Sequence, residues 1–380
     1  MMATIYEVAK IAGVTAATVS NVVTGKGAVS EGTRRRVQAA IAELGYQPNL
    51  LARALATSQT YTLSLILPDI ANPFYPEIAL EVEHTARQCG YSLFLCNTAN
   101  DESIGRAYLQ QLANRRVDGM IVMPGGMALE DLAAATRDGL PVVLCNWEER
   151  DELPALPMVG VDFAHAGSLA AAHLLGLGHR RIGVIADVAS PHTRHTERVA
   201  GFAATLEAAG IAWDPGLLRR GDSSIASGYR AAQALCALPE RPTAIFGTND
   251  LMAVGALEGA LAMGIEVPAA LSIVGVDDIA IASYTHPPLT TVAIPKGRIA
   301  AQATSMLLDW IASGVAPSSE PRYLDPALMP RRTTASIWEL SPAAISAPRE
   351  VRPAEPHRHL LDPPPAPHLA ARILSTGATC

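Results

Sequence analysis

The 380-residue sequence predicts a small all-α head, a larger two-lobed α/β body and a proline-rich tail. Three observations carry this. The first 46 residues hold three patterns of helical period parted by glycine. From Thr62 onward, short apolar runs alternate with amphipathic stretches of helical length. After Trp338, proline recurs too often for helix or sheet. With 49% hydrophobic and 17% charged residues the chain can close several cores, which excludes a disordered or fibrous protein. No apolar run reaches the roughly 18 residues of a membrane span. The first residues lack an apolar core followed by a small-residue cleavage site, so a cytoplasmic protein without a membrane partner is expected. Cys89, Cys96, Cys145, Cys236 and Cys380 form no C-x-x-C pair; buried thiols are expected rather than disulfides or a zinc site. No metal or cofactor is expected.

The net charge of −7 is unevenly spread. Residues 1–60 carry Lys10, Lys26, Arg34, Arg35, Arg36 and Arg53 against Glu7, Glu31 and Glu43, a net of +3 that leaves −10 on the rest. A basic head on an acidic body points to a polyanion that meets the head alone.

The head (1–46) reads element by element. Thr4 and Glu7 form a capping box opening a helix with Val8, Ile11 and Ala12 inward, and Gly13 ends it. Thr15 caps a second helix that turns Val19, Val22 and Val23 inward and leaves Ala16, Ala17, Ser20 and Asn21 on the open face. Two short helices joined by a glycine turn make a helix-turn-helix. A third helix runs from the cap Ser30 to Gly45 and buries Val37, Ile41 and Leu44. Residues 47–60, with Pro48 and the candidate cap Asn49, are too short to be a stable helix alone and need a partner.

The strings T-I-Y-E-V-A-K-I-A-G-V-T-A-A-T-V-S-N-V-V, V-S-E-G-T-R-R-R-V and L-G-Y-Q-P-N-L-L-A-R-A-L resemble the head of the LacI/GalR family of bacterial transcription regulators. The resemblance implies a helix-turn-helix DNA-binding head joined by a hinge helix to a periplasmic-binding-protein-like (type I) effector domain. It also implies a homodimer, with a tetramer left open, on a pseudo-palindromic double-stranded DNA operator, second helices in the major groove and paired hinge helices in the minor groove. The expected DNA contacts are Thr4, Tyr6, Thr15, Ala16, Ala17, Thr18, Ser20 and Asn21 from the head and Asn49, Ala52 and Leu55 from the hinge. Leu55 matches the family's leucine wedge. Ala16 and Ala17 match the main base-reading positions, where they can touch a thymine methyl. Asn21 replaces the usual arginine, so an operator cannot be carried over from other members.

In the body (61–338), apolar runs at Leu63–Leu67, Leu93–Cys96, Met120–Met123, Val142–Cys145, Val159–Val161, Ile182–Ile185, Ala244–Phe246 and Ile273–Val276 predict parallel strands, with a helix at about 164–177. So many strands divide into two lobes, a first of about 61–161 plus 293–322 and a second of about 162–292 plus 323–338. Ligands bind beyond the carboxyl ends of such strands. There stand Asp69, Asn72, Asn97, Asn146, Trp147, Asp162, Asp187, Thr248, Asn249, Asp250, Asp277 and Asp278. P-D-I-A-N-P-F-Y, R-V-A-G-F, A-I-F-G-T-N-D-L-M-A-V-G, G-V-D-D and P-P-L-T-T-V extend the family resemblance across this body. It implies effector contacts at Asn72, Phe74, Trp147, Asp162, Arg198, Asn249 and Asp277, with Asp250 and Asp278 read either as contacts or as helix caps. Gly221-Asp222-Ser223-Ser224 lacks the aromatic that many members carry after G-D, which disfavours a ring sandwich from that side. Residues 190–195, rich in histidine and arginine, suggest a highly hydroxylated or anionic effector: a sugar or sugar acid.

A solute-binding protein of a sugar transporter is the alternative, opposed by the head and the missing signal. An enzyme is not expected: no G-x-G-x-x-G follows the first strand, and no G-x-S-x-G or P-loop occurs. The tail (339–380) is expected to be disordered, and His357, His359 and His368 sit in no preorganised metal site.

Overall fold

The computed structural model describes residues 3–24, 27–46, 59–115, 117–147, 156–188 and 194–339. The expected hinge residues Asn49, Ala52 and Leu55, and the tail from residue 340, lie outside the described residues.

The head is built from α1 (Ile5–Ala12), α2 (Ala16–Thr24) and α3 (Glu31–Leu44). Thr4 and Glu7 form the reciprocal capping box, and Gly13 ends α1 at φ 62°. The Thr15 hydroxyl accepts from Thr18 N–H at 3.2 Å, and Ser30 caps α3. Val8, Ala9, Ala12, Val19, Val22, Val37 and Ala40 form its core. Ile11 does not join them and is 48% exposed. The buried stripe of this short helix is set by Val8, Ala9 and Ala12, and at 100° per residue Ile11 falls on its flank.

The body starts with β1 (Thr62–Leu67), α4 (Phe74–Gln88), β2 (Ser92–Asn97), α5 (Glu102–Arg115), β3 (Gly119–Val122), α6 (Leu129–Arg137), β4 (Val142–Cys145) and β5 (Met158–Val161). It continues with α7 (Phe163–Gly176), β6 (Ile182–Ala186), α8 (Arg194–Ala208), β7 (Leu218–Arg220), α9 (Ile225–Cys236), β8 (Ala244–Gly247), α10 (Asp250–Ala262) and β9 (Ser272–Asp277). β10 (Thr290–Ala293), α11 (Lys296–Ser313), β11 (Arg322–Leu324) and β12 (Ala327–Met329) complete it.

Two six-stranded sheets result, ordered β11-β5-β4-β3-β1-β2 and β12-β10-β9-β8-β6-β7, parallel throughout except β12, which runs antiparallel to β10. Their central strands are buried on both faces, as parallel sheets between helical layers require. The chain passes between the sheets after β5, after β10 and after β11. Because Arg322–Leu324 pair with β5, the last passage falls at residues 325–326 rather than at 322/323. In the second lobe, α7 and α8 pack backbone to backbone: a Cβ on Gly167 would lie 1.9 Å from the Arg198 carbonyl oxygen. That approach brings Arg198 onto the Phe163 ring, 5.3 Å from its centroid. Among the cysteines, Cys96, Cys145 and Cys236 are buried while Cys89 is exposed, against expectation, at the end of α4. Burial pushes the Cys145 thiol up to about 12 and that of Cys236 to about 11. Among the described residues no helix is long and apolar enough to cross a membrane.

Candidate functional site

Two sites can be built from these elements. On the head, Val19 and Val22 anchor α2 in the core, and the same helix turns Ala17 and Asn21 to solvent. Ala16 and Ser20 are half-buried, Ala16 against the core. Tyr6 is 75% exposed. A methyl and a carboxamide are thereby offered on one open helix face, groups able to meet a thymine methyl and an adenine edge. Thr4 is exposed and forms the expected capping box. Its N–H and hydroxyl both donate to Glu7 Oε2, at 2.7 and 3.0 Å, so its donors serve the cap. Those bonds draw the Glu7 carboxyl below its usual value. Arg36 is likewise tied, Nε donating to the Ala12 carbonyl at 3.3 Å, which locks α3 to the end of α1.

The second site is the cleft at the carboxyl ends of the two sheets. Arg198 is wholly buried; Nη1 donates to the Thr248 carbonyl at 2.5 Å and Nη2 to Asp277 Oδ1 at 3.0 Å. Burial raises the Asp277 carboxyl, with Arg198 and then Lys296 pulling against it. Asp277 and Asp278 have φ of 119° and 51°, conformations unfavourable to side chains with a Cβ. Three anchors hold them. Lys296 Nζ donates to both carbonyls, at 2.5 and 2.7 Å, and Arg331 pairs with the Asp278 carboxylate at 2.5 Å. Asp250 Oδ2 accepts from Ile279 N–H at 2.9 Å, and its Oδ1 from the Thr291 hydroxyl at 2.6 Å. Thus neither Asp250 nor Asp278 caps a helix. The cap of α10 is Asn249, while Asp250 is a buried brace whose carboxyl is pushed well up by burial and by Asp277.

The other expected contacts divide. Asn249 Oδ1 accepts from Met252 N–H and its Nδ2 donates to the Ser223 carbonyl at 3.2 Å. Asp162 caps α7, and Asn72 accepts from Phe74 N–H at 3.1 Å, so both serve backbone turns at the cleft edge. Phe74 is buried at the start of α4, with Lys296 Nζ 5.9 Å from its ring centroid. Trp147 instead packs in the apolar cluster containing Leu144, Leu156 and Met158, where its indole N–H has no hydrogen-bond partner.

The start of α4 also ties the lobes together. Glu77 Oε1 accepts from Ala280 N–H at 2.9 Å and its Oε2 pairs with Lys296 at 3.2 Å, while the Arg194 guanidinium lies 5.6 Å from the Tyr75 ring centroid. His195, in the segment expected to be cationic, is buried and held neutral: burial and then the nearby charges of Arg194 and Arg198 push its pKa well down. Its Nδ1 lies 2.8 Å from the Thr248 hydroxyl and its Nε2 3.1 Å from the Ser223 hydroxyl, which donates to Asp187 Oδ2 at 3.1 Å. The sequence flagged Asp187 as a strand end and Ser223 as a departure from an aromatic, but nothing local in it joins residues 28 and 36 positions apart.

The model for bacterial regulatory proteins of the lacI family matches residues 4–49, and that for a periplasmic binding protein-like domain matches residues 171–334. The chain is 38% identical over 338 residues to the HTH-type transcriptional repressor PurR of Proteus mirabilis (strain HI4320), covering 88% of this chain and 97% of that one. It is 37% identical over 310 residues to the HTH-type transcriptional regulator DegA of Bacillus subtilis (strain 168), covering 80% and 89%. Among solved structures, the lac repressor dimer bound to operator and the anti-inducer ONPF superposes with a TM-score of 0.78 at 28% identity, covering 88% of this chain and all of that one. A transcriptional regulator CelR–cellobiose complex superposes with a TM-score of 0.64 at 30% identity, covering 87% and 99%.

Proposed function

The chain belongs to the lacI family of bacterial regulatory proteins and is a DNA-binding transcriptional repressor rather than an enzyme; from that premise we propose that it binds a pseudo-palindromic operator as a homodimer, under the control of a sugar or sugar acid held between its lobes. The observation that carries the operator reading is the exposed face of α2, where Ala17 and Asn21 stand clear of the head core. Tyr6, Thr15, Thr18 and Ser20 flank that face as contacts to phosphate and sugar, which fix register. Asn49, Ala52 and Leu55 complete the DNA contacts by resemblance alone.

A homodimer is supported by exposed apolar side chains on both lobes: Leu80 and Phe94 on the first, Ile281 and Tyr284 on the second. A two-fold partner would cover the same patches on each copy. For the effector, Arg198, Asp277 and Asn249 supply the polar wall and Phe74 a ring face. The cellobiose-bound neighbour supports the sugar class. An effector that binds one degree of lobe closure better than another shifts the spacing of the paired heads, and the coupling is reciprocal.

Selection of genomic fragments by the purified full-length protein at moderate salt tests this. Enrichment of a pseudo-palindrome, with affinity falling steeply as salt rises, is expected. Failure to enrich any fragment, alone or with a panel of sugars and sugar acids, sinks the reading.

A further inference from the structure

Resting on the reading of the cleft as the effector site, we infer that Asp187, Ser223 and His195 form a subsite for a hydroxyl group of a neutral polyol, and that this subsite selects a sugar over its matching sugar acid. The hydrogens in the chain can be counted. A serine hydroxyl has one hydrogen to give and a carboxylate oxygen only accepts, so Ser223 donates to Asp187 Oδ2. Ser223 Oγ must then accept at the 3.1 Å contact with His195, which places the imidazole hydrogen on Nε2. Nδ1 is left as an acceptor for the fully buried Thr248 hydroxyl. Every bond in the series Thr248, His195, Ser223, Asp187 therefore points the same way, out of the core toward a half-buried carboxylate at the cleft end of β6.

A carboxylate accepts about four hydrogen bonds, and Ser223 occupies one. Among the described residues no other group donates to it. On the first lobe, at the cleft end of β4, Asn146 Oδ1 is buried without a hydrogen-bond partner, a second acceptor in need of a hydrogen. The charge of Arg198 is offset within the wall by Asp277, and the Arg194 guanidinium lies against the Tyr75 ring of the first lobe. An anion placed beside Asp187 would meet like charge in a partly desolvated cleft, whereas a hydroxyl brings the missing hydrogen. The neutral imidazole of His195 fits the same picture, since it adds no positive charge to the wall. Ser223, held at φ 65°, sets its hydroxyl into this chain where an aromatic side chain would have supplied a flat apolar face.

The test is calorimetric titration of the full-length protein with pentoses, hexoses and disaccharides, each beside its aldonic or uronic acid, and with adenine as the planar control. At least one neutral sugar should bind about tenfold or more tightly than its acid, and Asp187→Asn should bring the two within about twofold. Preference for an acid or for adenine, no binding by any neutral sugar, or a ratio untouched by Asp187→Asn overturns the inference. Should that variant fold poorly, ¹⁵N-histidine spectra of the wild-type protein decide: the Nε2–H tautomer at His195 is expected, and the Nδ1–H tautomer overturns the proton order. Operator binding by the wild-type protein is measured alongside. Where it is intact, a negative titration defeats only this inference; where it is missing, the regulator reading itself falls.

Discussion

At the cleft ends of their sheets the two lobes are finished with different chemistry. In the second lobe Arg198 pairs with Asp277, Asp250 accepts from Thr291, and His195, Ser223 and Asp187 form a chain, mostly out of water. The first lobe closes its strand ends with backbone turns taken by Asn72 and Asn97, with the rings of Phe74 and Tyr75, and with a carbonyl on Asn146 that finds no donor. Buried bonds between charged and polar side chains are rigid and costly to breach; a wall of rings and turns adapts. In the proposed reading of the cleft, the second lobe is the preorganised recognition surface and the first lobe its cover.

The largest effect should come from breaching the second lobe. Arg198→Met leaves Asp277 buried without its counter-charge and should cost about 3–5 kcal/mol in urea unfolding, with loss of the effector response. Unfolding near wild-type stability would show that the network is dispensable. Acidification should separate the lobes next. His173, His179 and His195 all belong to the second lobe, and burial lowers each pKa below 6.5. Below that pH the unfolded chain binds more protons than the folded one, so their contribution is whole above about 6.5 and is lost as pH falls toward the folded values. The raised carboxyls of Asp250 and Asp277 act in the opposite sense, so the histidine part is read as a difference: between about pH 7.5 and 5.5, second-lobe amides of the wild type should lose more hydrogen-exchange protection than those of His195→Gln, and equal loss would contradict this.

A smaller change is expected where the lobes meet. Glu77→Gln removes the charge that Lys296 pairs with and weakens the bond to Ala280 N–H, and should favour the open cleft by about 1 kcal/mol, roughly fivefold. Small-angle scattering would register a larger radius of gyration, and an unchanged profile would dismiss the clasp. The smallest effect has the opposite sign. Ser64, buried in β1 with no partner for its hydroxyl, should tolerate Ser64→Ala with a gain of up to about 1 kcal/mol in thermal melting, because an unsatisfied group is removed. A loss of stability would imply a partner for that hydroxyl.

Much of this was legible in the residues. The central strands announce themselves because burial on both faces demands continuous apolar runs such as Leu63–Leu67 and Ile273–Val276. β7, β10, β11 and β12 were not foreseen: β7, β11 and β12 are each three residues long, at a sheet edge and half-exposed, and the buried β10 opens on Thr290 and Thr291 where an apolar run would have marked it. For the cleft, strand ends brought forward Asp187, Asn249 and Asp277, since position along a strand is a local property. Their partners were hidden. Arg198 and Asp277 are 79 residues apart, and Asp250 and Thr291 are 41 apart, joined only by the order of strands in the sheet. Trp147 also stands at a strand end, and its ring packs with Leu144, Leu156 and Met158.

The threefold passage of the chain between the lobes also has a meaning in time. α11 packs Ile299, Ala300, Ala303 and Leu307 into the main core beside α4, and β11 closes an edge of the first sheet, yet both leave the ribosome after the whole parallel core of the second lobe. During synthesis the head and the second lobe's β6–β9 core can therefore gather while the first lobe still waits for a helix and a strand, with an apolar face bare. The segment most exposed to a nascent-chain chaperone is then the first lobe, the part of the body made earliest and left waiting longest for its closing elements.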